Sequence, residues 1–225
     1  MKTSDKLRRL TAVAMFCALA YICMFVFRIK VSFLTFDAKD AVITTGAMFF
    51  GPLTALIMSA AVAVLELITV SDTGIYGCIM NFISSAAFSV TASLIYKYRR
   101  KLSGAIMGLS GAVLAVTVSM MAANLLITPF YMGVSVSDVQ AMIPTLLLPF
   151  NLTKAFLNAS LVLLLYKPIT KALRVSGFIH MPSSDNHVKS RKMTVIIAII
   201  AAILVISSIL VFVMLLNGQF ELYKS

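Results

Sequence analysis

Acidic residues are scarce in this chain, with eight Asp and Glu against 19 Lys and Arg in 225 residues, and only 12% of positions are charged. So little charge excludes an ordinary soluble domain, whose surface needs about twice that share. The sequence contains no GxxxxGK[ST] phosphate loop, no HExxH pair and no Ser-His-Asp or paired-carboxylate signature, so neither nucleotide hydrolysis nor hydrolytic chemistry finds its residues here. Carboxylates are missing from the middles of the apolar stretches, which argues against a proton or sodium relay. If the protein moves a solute uphill, the energy must come from a partner or a gradient. Cysteine is also sparse. Cys17, Cys23 and Cys78 lie in or beside apolar segments, form no CxxC pair, and read as small core hydrophobes without a disulfide or zinc framework. His180 and His187 fall in a polar segment at a spacing unsuited to metal binding.

Apolar residues fill the space that charge leaves, at 60% of the chain and a mean hydropathy of +1.00. Segments near 20 residues long recur, the length that spans about 30 Å of hydrocarbon. The composition therefore predicts an all-α, polytopic membrane protein. The formal net charge of +11 could suggest nucleic acid, but the cations sit in short clusters between apolar spans, where they set orientation. No nucleic-acid partner is expected.

The first span, 10–27, follows Lys2, Lys6, Arg8 and Arg9. It resembles a signal peptide until its length and the later spans are counted. Ala14 and Ala18 lie on it at a small-xxx-small spacing that admits a close helix neighbour. A short loop of mixed charge and aromatics follows at 28–40, too apolar for a mere linker. Spans at 41–50 and 53–70 are divided by Gly51-Pro52, a turn dipeptide, and Glu66 lies near the far end of the second. The span at 77–96 carries Asn81 in its first turns and ends on Lys97, Arg99, Arg100 and Lys101. The span at 104–127 carries Asn124 near its exit, and a loop at 128–143 follows.

The stretch at 144–166, PTLLLPFNLTKAFLNASLVLLLY, holds Lys154 near its middle. An ionisable side chain at that depth is expensive and normally faces protein or a water-filled cavity with an identifiable partner. Asn151 and Asn158 share its helical stripe, and Pro149 just upstream is expected to kink the helix toward the same face. Beyond this stretch, 174–193 reads as a cytoplasmic linker, 194–216 as a seventh apolar helix and 217–225 as an external tail, leaving 1–173 as the membrane domain. With the N-terminus cytoplasmic, fourteen cations fall inside and four outside, including Lys39, with Lys154 buried.

That orientation gathers Glu66, Asn81, Asn124, Asn151 and Lys154 in the outer leaflet, the layout of an outward-facing binding site. One ammonium with carboxamides, lined by Phe, Met and Tyr, suits a flat, uncharged heterocycle with an imide-like edge. Asn124 and Asn151 could equally serve as interhelical hydrogen bonds, and Glu66 could equally pair with loop cations.

Four motifs in order, FDAKDAVITTGAMFFGPLTAL (36–56), MNFISSAAF with SLIYK (80–97), NLLITPFYMG (124–133) and LLPFNLTKA (147–155), together resemble the riboflavin-specific S component of energy-coupling factor (ECF) transporters. The resemblance covers about residues 8–173. It implies a six-helix subunit of the bacterial cell membrane that binds riboflavin from outside and is no enzyme. It further implies uptake energised by a transmembrane coupling subunit and two ATPases, with riboflavin as bound substrate and no resident cofactor. By the same resemblance Asn124, Asn151 and Lys154 meet the isoalloxazine, Phe36 and Tyr131 are wall residues, the loop at 31–39 is a lid, and Ala14 and Ala18 contact the coupling subunit. An S component for another vitamin or heterocycle, and a non-catalytic structural subunit, are the alternatives. The seventh helix departs from the six-helix pattern.

Overall fold

The computed structural model describes residues 3–31 and 34–175. The expected seventh span, most of the linker before it, the external tail and both histidines lie outside the described residues. Helix α1 (Thr3–Val26) leads into a hairpin of strands β1 (Ile29–Val31) and β2 (Leu34–Phe36), then α2 (Lys39–Phe50), α3 (Pro52–Thr69), α4 (Gly74–Tyr98) and α5 (Leu102–Met132). The last span is composite: α6 (Val136–Met142), a π-helical turn (Ile143–Leu147) and α7 (Leu148–Val175). Six spans thus appear in the expected order, and five are long and apolar enough to cross a membrane.

The sixth, α2, has 12 residues. At 1.5 Å per residue it covers about 18 Å, well short of a bilayer. Burial resolves the mismatch, because every residue from Lys39 to Met48 is enclosed and α1, α3, α4 and α7 all pack around this helix. Its exit is set by the Gly51-Pro52 turn. Gly51 adopts a left-handed φ of 99°, which caps α2, and Pro52 begins α3 where its missing N–H costs nothing. Arg9 Nη2 donates to the Phe50 carbonyl (2.7 Å) and to Thr54 Oγ1 (2.9 Å), placing a cation at the C-terminus of α2 and tying α1 to the turn.

Helix α1 buries only a narrow stripe, Ala12, Phe16, Ala20 and Met24, at the spacing of one helical face. Helices α4 and α5 share the most extensive contact in the bundle, built on small residues including Ala92, Ala105, Gly108 and Ala112. A Cβ at Gly108 would lie 2.6 Å from the Ala92 carbonyl oxygen. Gly108→Ala should therefore push the helices apart and lower stability by about 1–3 kcal/mol. Thermal unfolding in detergent checks this, and an unchanged Tm would refute it.

Three details differ from the sequence expectation. The loop after α1 is a two-stranded antiparallel hairpin pairing Ile29 with Phe36 and Val31 with Leu34. The expected loop at 128–143 is mostly helical: α5 runs on through Pro129 to Met132, Gly133 caps it at φ 66°, and α6 follows. A capping box starts α6, where Ser135 Oγ accepts from the Asp138 N–H and Asp138 Oδ2 accepts from the Ser135 N–H. The irregularity ascribed to Pro149 sits earlier, in the π turn that contains Pro144. Pro149 occupies the second position of α7, where proline is tolerated.

Candidate functional site

At the end of the bundle that carries the hairpin, the helices enclose a cavity of about 240 Å³. Its lining comes from β2, α3, α4, α5, α7 and the connections beside them. Arg28 follows α1, Leu34 and Thr35 come from β2, Glu66 from α3, Tyr76, Asn81 and Ser84 from α4, Asn124, Thr128 and Tyr131 from α5, and Phe150, Asn151 and Lys154 from α7. Six of the seven expected ligand-site residues, Glu66, Asn81, Asn124, Tyr131, Asn151 and Lys154, therefore line one cavity. Phe36 does not line the cavity. It packs edge-on against Phe150, with ring centroids 6.0 Å apart, and so backs a wall residue in the cluster joining the hairpin to α6 and α7.

The carboxamides are held by their own helices. Asn124 Nδ2 donates to the Met120 carbonyl (2.7 Å) and its Oδ1 accepts from Thr128 Oγ1 (2.9 Å). Asn151 Nδ2 donates to the Leu147 carbonyl (2.7 Å), a group within the π turn. A π turn breaks the usual backbone pairing, and such turns frequently mark functional sites. The third member of the stripe, Asn158, has a different job. Its Oδ1 accepts from the Ala41 N–H (2.8 Å) while its Nδ2 donates to the carbonyls of Asp37 (3.1 Å) and Lys154 (3.0 Å), stapling the start of α2 to α7.

Lys154 has the partner its depth demands. Its Nζ donates to Asp37 Oδ2 at 2.8 Å and to the Thr35 carbonyl at 3.1 Å. An ammonium has three donors, and these contacts use two of them. Asp37 Oδ2 also lies 3.8 Å from Lys39 Nζ, and Lys39 in turn grips both oxygens of Glu66, at 2.7 and 2.6 Å. Nearby, Asp40 accepts a short hydrogen bond from Ser85 Oγ. Burial works against charge on Asp37, but the ammoniums of Lys154 and Lys39 outweigh it and hold the carboxyl below the ordinary carboxylate range.

This ion cluster corrects two expectations. Buried carboxylates do exist at the site, because the start of α2 folds into the bundle instead of staying in an external loop. Lys39 is not a loop cation either; it is 1% exposed. Glu66 pairs with a cation as one reading expected, and also lines the cavity. Sequence reasoning missed Asp37 as the partner of Lys154; the signal that pointed toward it is that the 28–40 stretch is too apolar for a mere linker, so its acids need not all face water.

Ala14 and Ala18 lie on the exposed face of α1, opposite the buried stripe and beside exposed Met15, Leu19 and Ile22. The structure keeps them apart from the cavity, as a partner-contact role requires.

A bundle of membrane-length helices closing over a polar cavity at one end defines a membrane-embedded solute-binding protein. Residues 8–166 match the family described as ECF transporter, substrate-specific component. The chain belongs to that family; it is a multi-pass membrane subunit of a transporter and not an enzyme. It is 28% identical over 178 residues to the riboflavin transporter RibU of Staphylococcus aureus (strain TCH60), covering 74% of this chain and 93% of that protein. The solved structure described as the structure and mechanism of the S component of a bacterial ECF transporter superposes with a TM-score of 0.64 at 26% identity, covering 75% of this chain and 98% of the other.

Proposed function

We propose that this chain captures riboflavin at the outer face of the cell membrane and passes it inward with an ECF coupling subunit and two ATPases. The observation that carries the reading is the cavity wall itself. Lys154 offers an ammonium, Asn81, Asn124 and Asn151 offer carboxamides, and Tyr76, Tyr131 and Phe150 supply aromatic surface. That set suits a planar ring with a carbonyl and imide edge. The similarity to a riboflavin transporter supports the same ligand.

Orientation follows from charge. The cavity end carries few cations, whereas Lys6, Arg8 and Arg9 and the cluster Lys97 to Lys101 lie at the opposite end of their helices. The positive-inside bias places that basic end in the cytoplasm and the cavity outward. Transport requires no bond to be made or broken by this subunit. It binds, encloses and presents the vitamin, and its partners' ATP cycle supplies the work.

Titration of purified protein with riboflavin, followed by flavin fluorescence quenching, tests the reading. Saturable quenching is expected, with Lys154→Ala and Asn151→Ala each weakening binding by about 1–3 kcal/mol, roughly five- to 150-fold in Kd. No quenching by the wild-type protein would overturn riboflavin as ligand and send the search to other heterocycles.

A further inference from the structure

Four buried side chains alternate in charge across three helices and a connection: Lys154 on α7, Asp37 between β2 and α2, Lys39 at the start of α2 and Glu66 on α3. Successive contacts are 2.8, 3.8 and 2.6 Å. The two ends of this chain, Lys154 and Glu66, line the cavity, whereas the two middle members do not. Asp37 and Lys39 are also the more deeply enclosed, each 1% exposed. Burying four charges is costly, and packed apolar residues would stabilise the bundle at least as well. Their arrangement fits a task at the cavity better than a task in folding.

We propose that Asp37 and Lys39 are positioning residues that fix the Lys154 ammonium and the Glu66 carboxylate as a matched donor and acceptor on the cavity wall. The site thereby selects an uncharged ligand carrying both hydrogen-bond acceptors and hydrogen-bond donors. This inference rests on the cavity being the ligand site.

The physical argument is one of protonation and aim. A carboxylate facing a cavity in a low-dielectric bundle, without a partner, would neutralise and lose its acceptor-only character. Lys39 prevents this by donating to both Glu66 oxygens, and a carboxylate with about four lone-pair sites still has capacity facing the cavity. Lys154 is treated symmetrically. Asp37 and the Thr35 carbonyl occupy two donors and fix the direction of the third. Within this row each charge already faces an opposite one, so an uncharged ligand needs no further counterion there, while a charged one would require a counterion in a poorly screening interior.

A double-mutant cycle on the full-length protein tests this, with riboflavin as the probe and Kd read by fluorescence quenching beside Tm. Lys39→Met and Glu66→Gln are each expected to raise Kd by roughly tenfold, and the double variant to bind little worse than the weaker single, because the close contacts of the Lys39 ammonium are with Glu66 while its distance to Asp37 is 3.8 Å. Independent, multiplying effects would overturn the relay, as would wild-type affinity in Lys39→Met. If Lys39→Met fails to fold, Lys39→Arg replaces it in the cycle. It keeps the charge but shifts the contacts, so it should weaken binding several-fold with Glu66 present and not at all beside Glu66→Gln, a difference that a purely structural role would not produce. Equal effects in both backgrounds would overturn the proposal. A wild-type protein that binds no flavin overturns the ligand reading together with this inference; a wild-type protein that binds while the Lys39 variants bind equally well overturns the relay alone.

Discussion

Asp37→Ala is expected to destabilise the folded bundle by about 3–5 kcal/mol, since removing one partner leaves a buried cation uncompensated. Lys154 would keep only the Thr35 carbonyl, and Lys39 would lose both the nearby carboxylate and the 3.2 Å bond its backbone N–H makes to Asp37 Oδ1. Asp37→Asn keeps an acceptor at the same place and should lose less. Acid dependence separates charge from packing. Because the folded carboxyl is held below the ordinary range, its contribution is complete above the unfolded-state value and fades only on acidification through the folded one. The Tm gap between wild type and Asp37→Ala should thus be constant above about pH 5 and narrow below it. Equal Tm values for the two proteins at neutral pH would mean that the Lys154 ammonium is balanced by some other group.

The second large effect is on transport. Ala14→Leu and Ala18→Leu should leave riboflavin binding by the purified subunit unchanged and reduce uptake by cells at least about tenfold, because a bulky side chain holds a partner helix away from a small-residue face. The exposed placement of both alanines makes the first half safe to expect, since neither contributes to the core. Loss of binding in either variant, or undiminished uptake in both, would remove α1 as the coupling face. Set beside Lys154→Ala, which should lose binding and uptake together, these variants separate capture from delivery.

The helical spans were legible because hydrocarbon imposes one rule on every residue in it: apolar side chains outside, backbone bonds within the segment. Ends were less so. Helix α5 continues through Pro129 because the bundle, not local propensity, sets where the chain can turn. Lys154, Asn124 and Asn151 stood out for the same reason the spans did, as polar exceptions to an apolar rule. Phe36 had no such contrast. An aromatic residue reads alike whether it lines a cavity or backs one, and only its edge-on contact with Phe150 decides. Asp37, Lys39 and Asp40 were hidden by their context. The stretch reads as too apolar for a mere linker and as the start of the short span, but its local pattern does not say which distant groups its charges meet once α2 is drawn inward.

By itself, the sequence determined that this chain lives in a membrane, how many described spans it has, the polar residues at one end and the resemblance to ECF S components. These follow from composition and spacing, which act locally and do not depend on which helices become neighbours. The tertiary structure alone decided that Lys154 pairs with Asp37 across 117 positions and Lys39 with Glu66 across 27. Coulomb attraction falls with distance in space, not along the chain, so counterions in a low-dielectric interior are known only once the helices are packed.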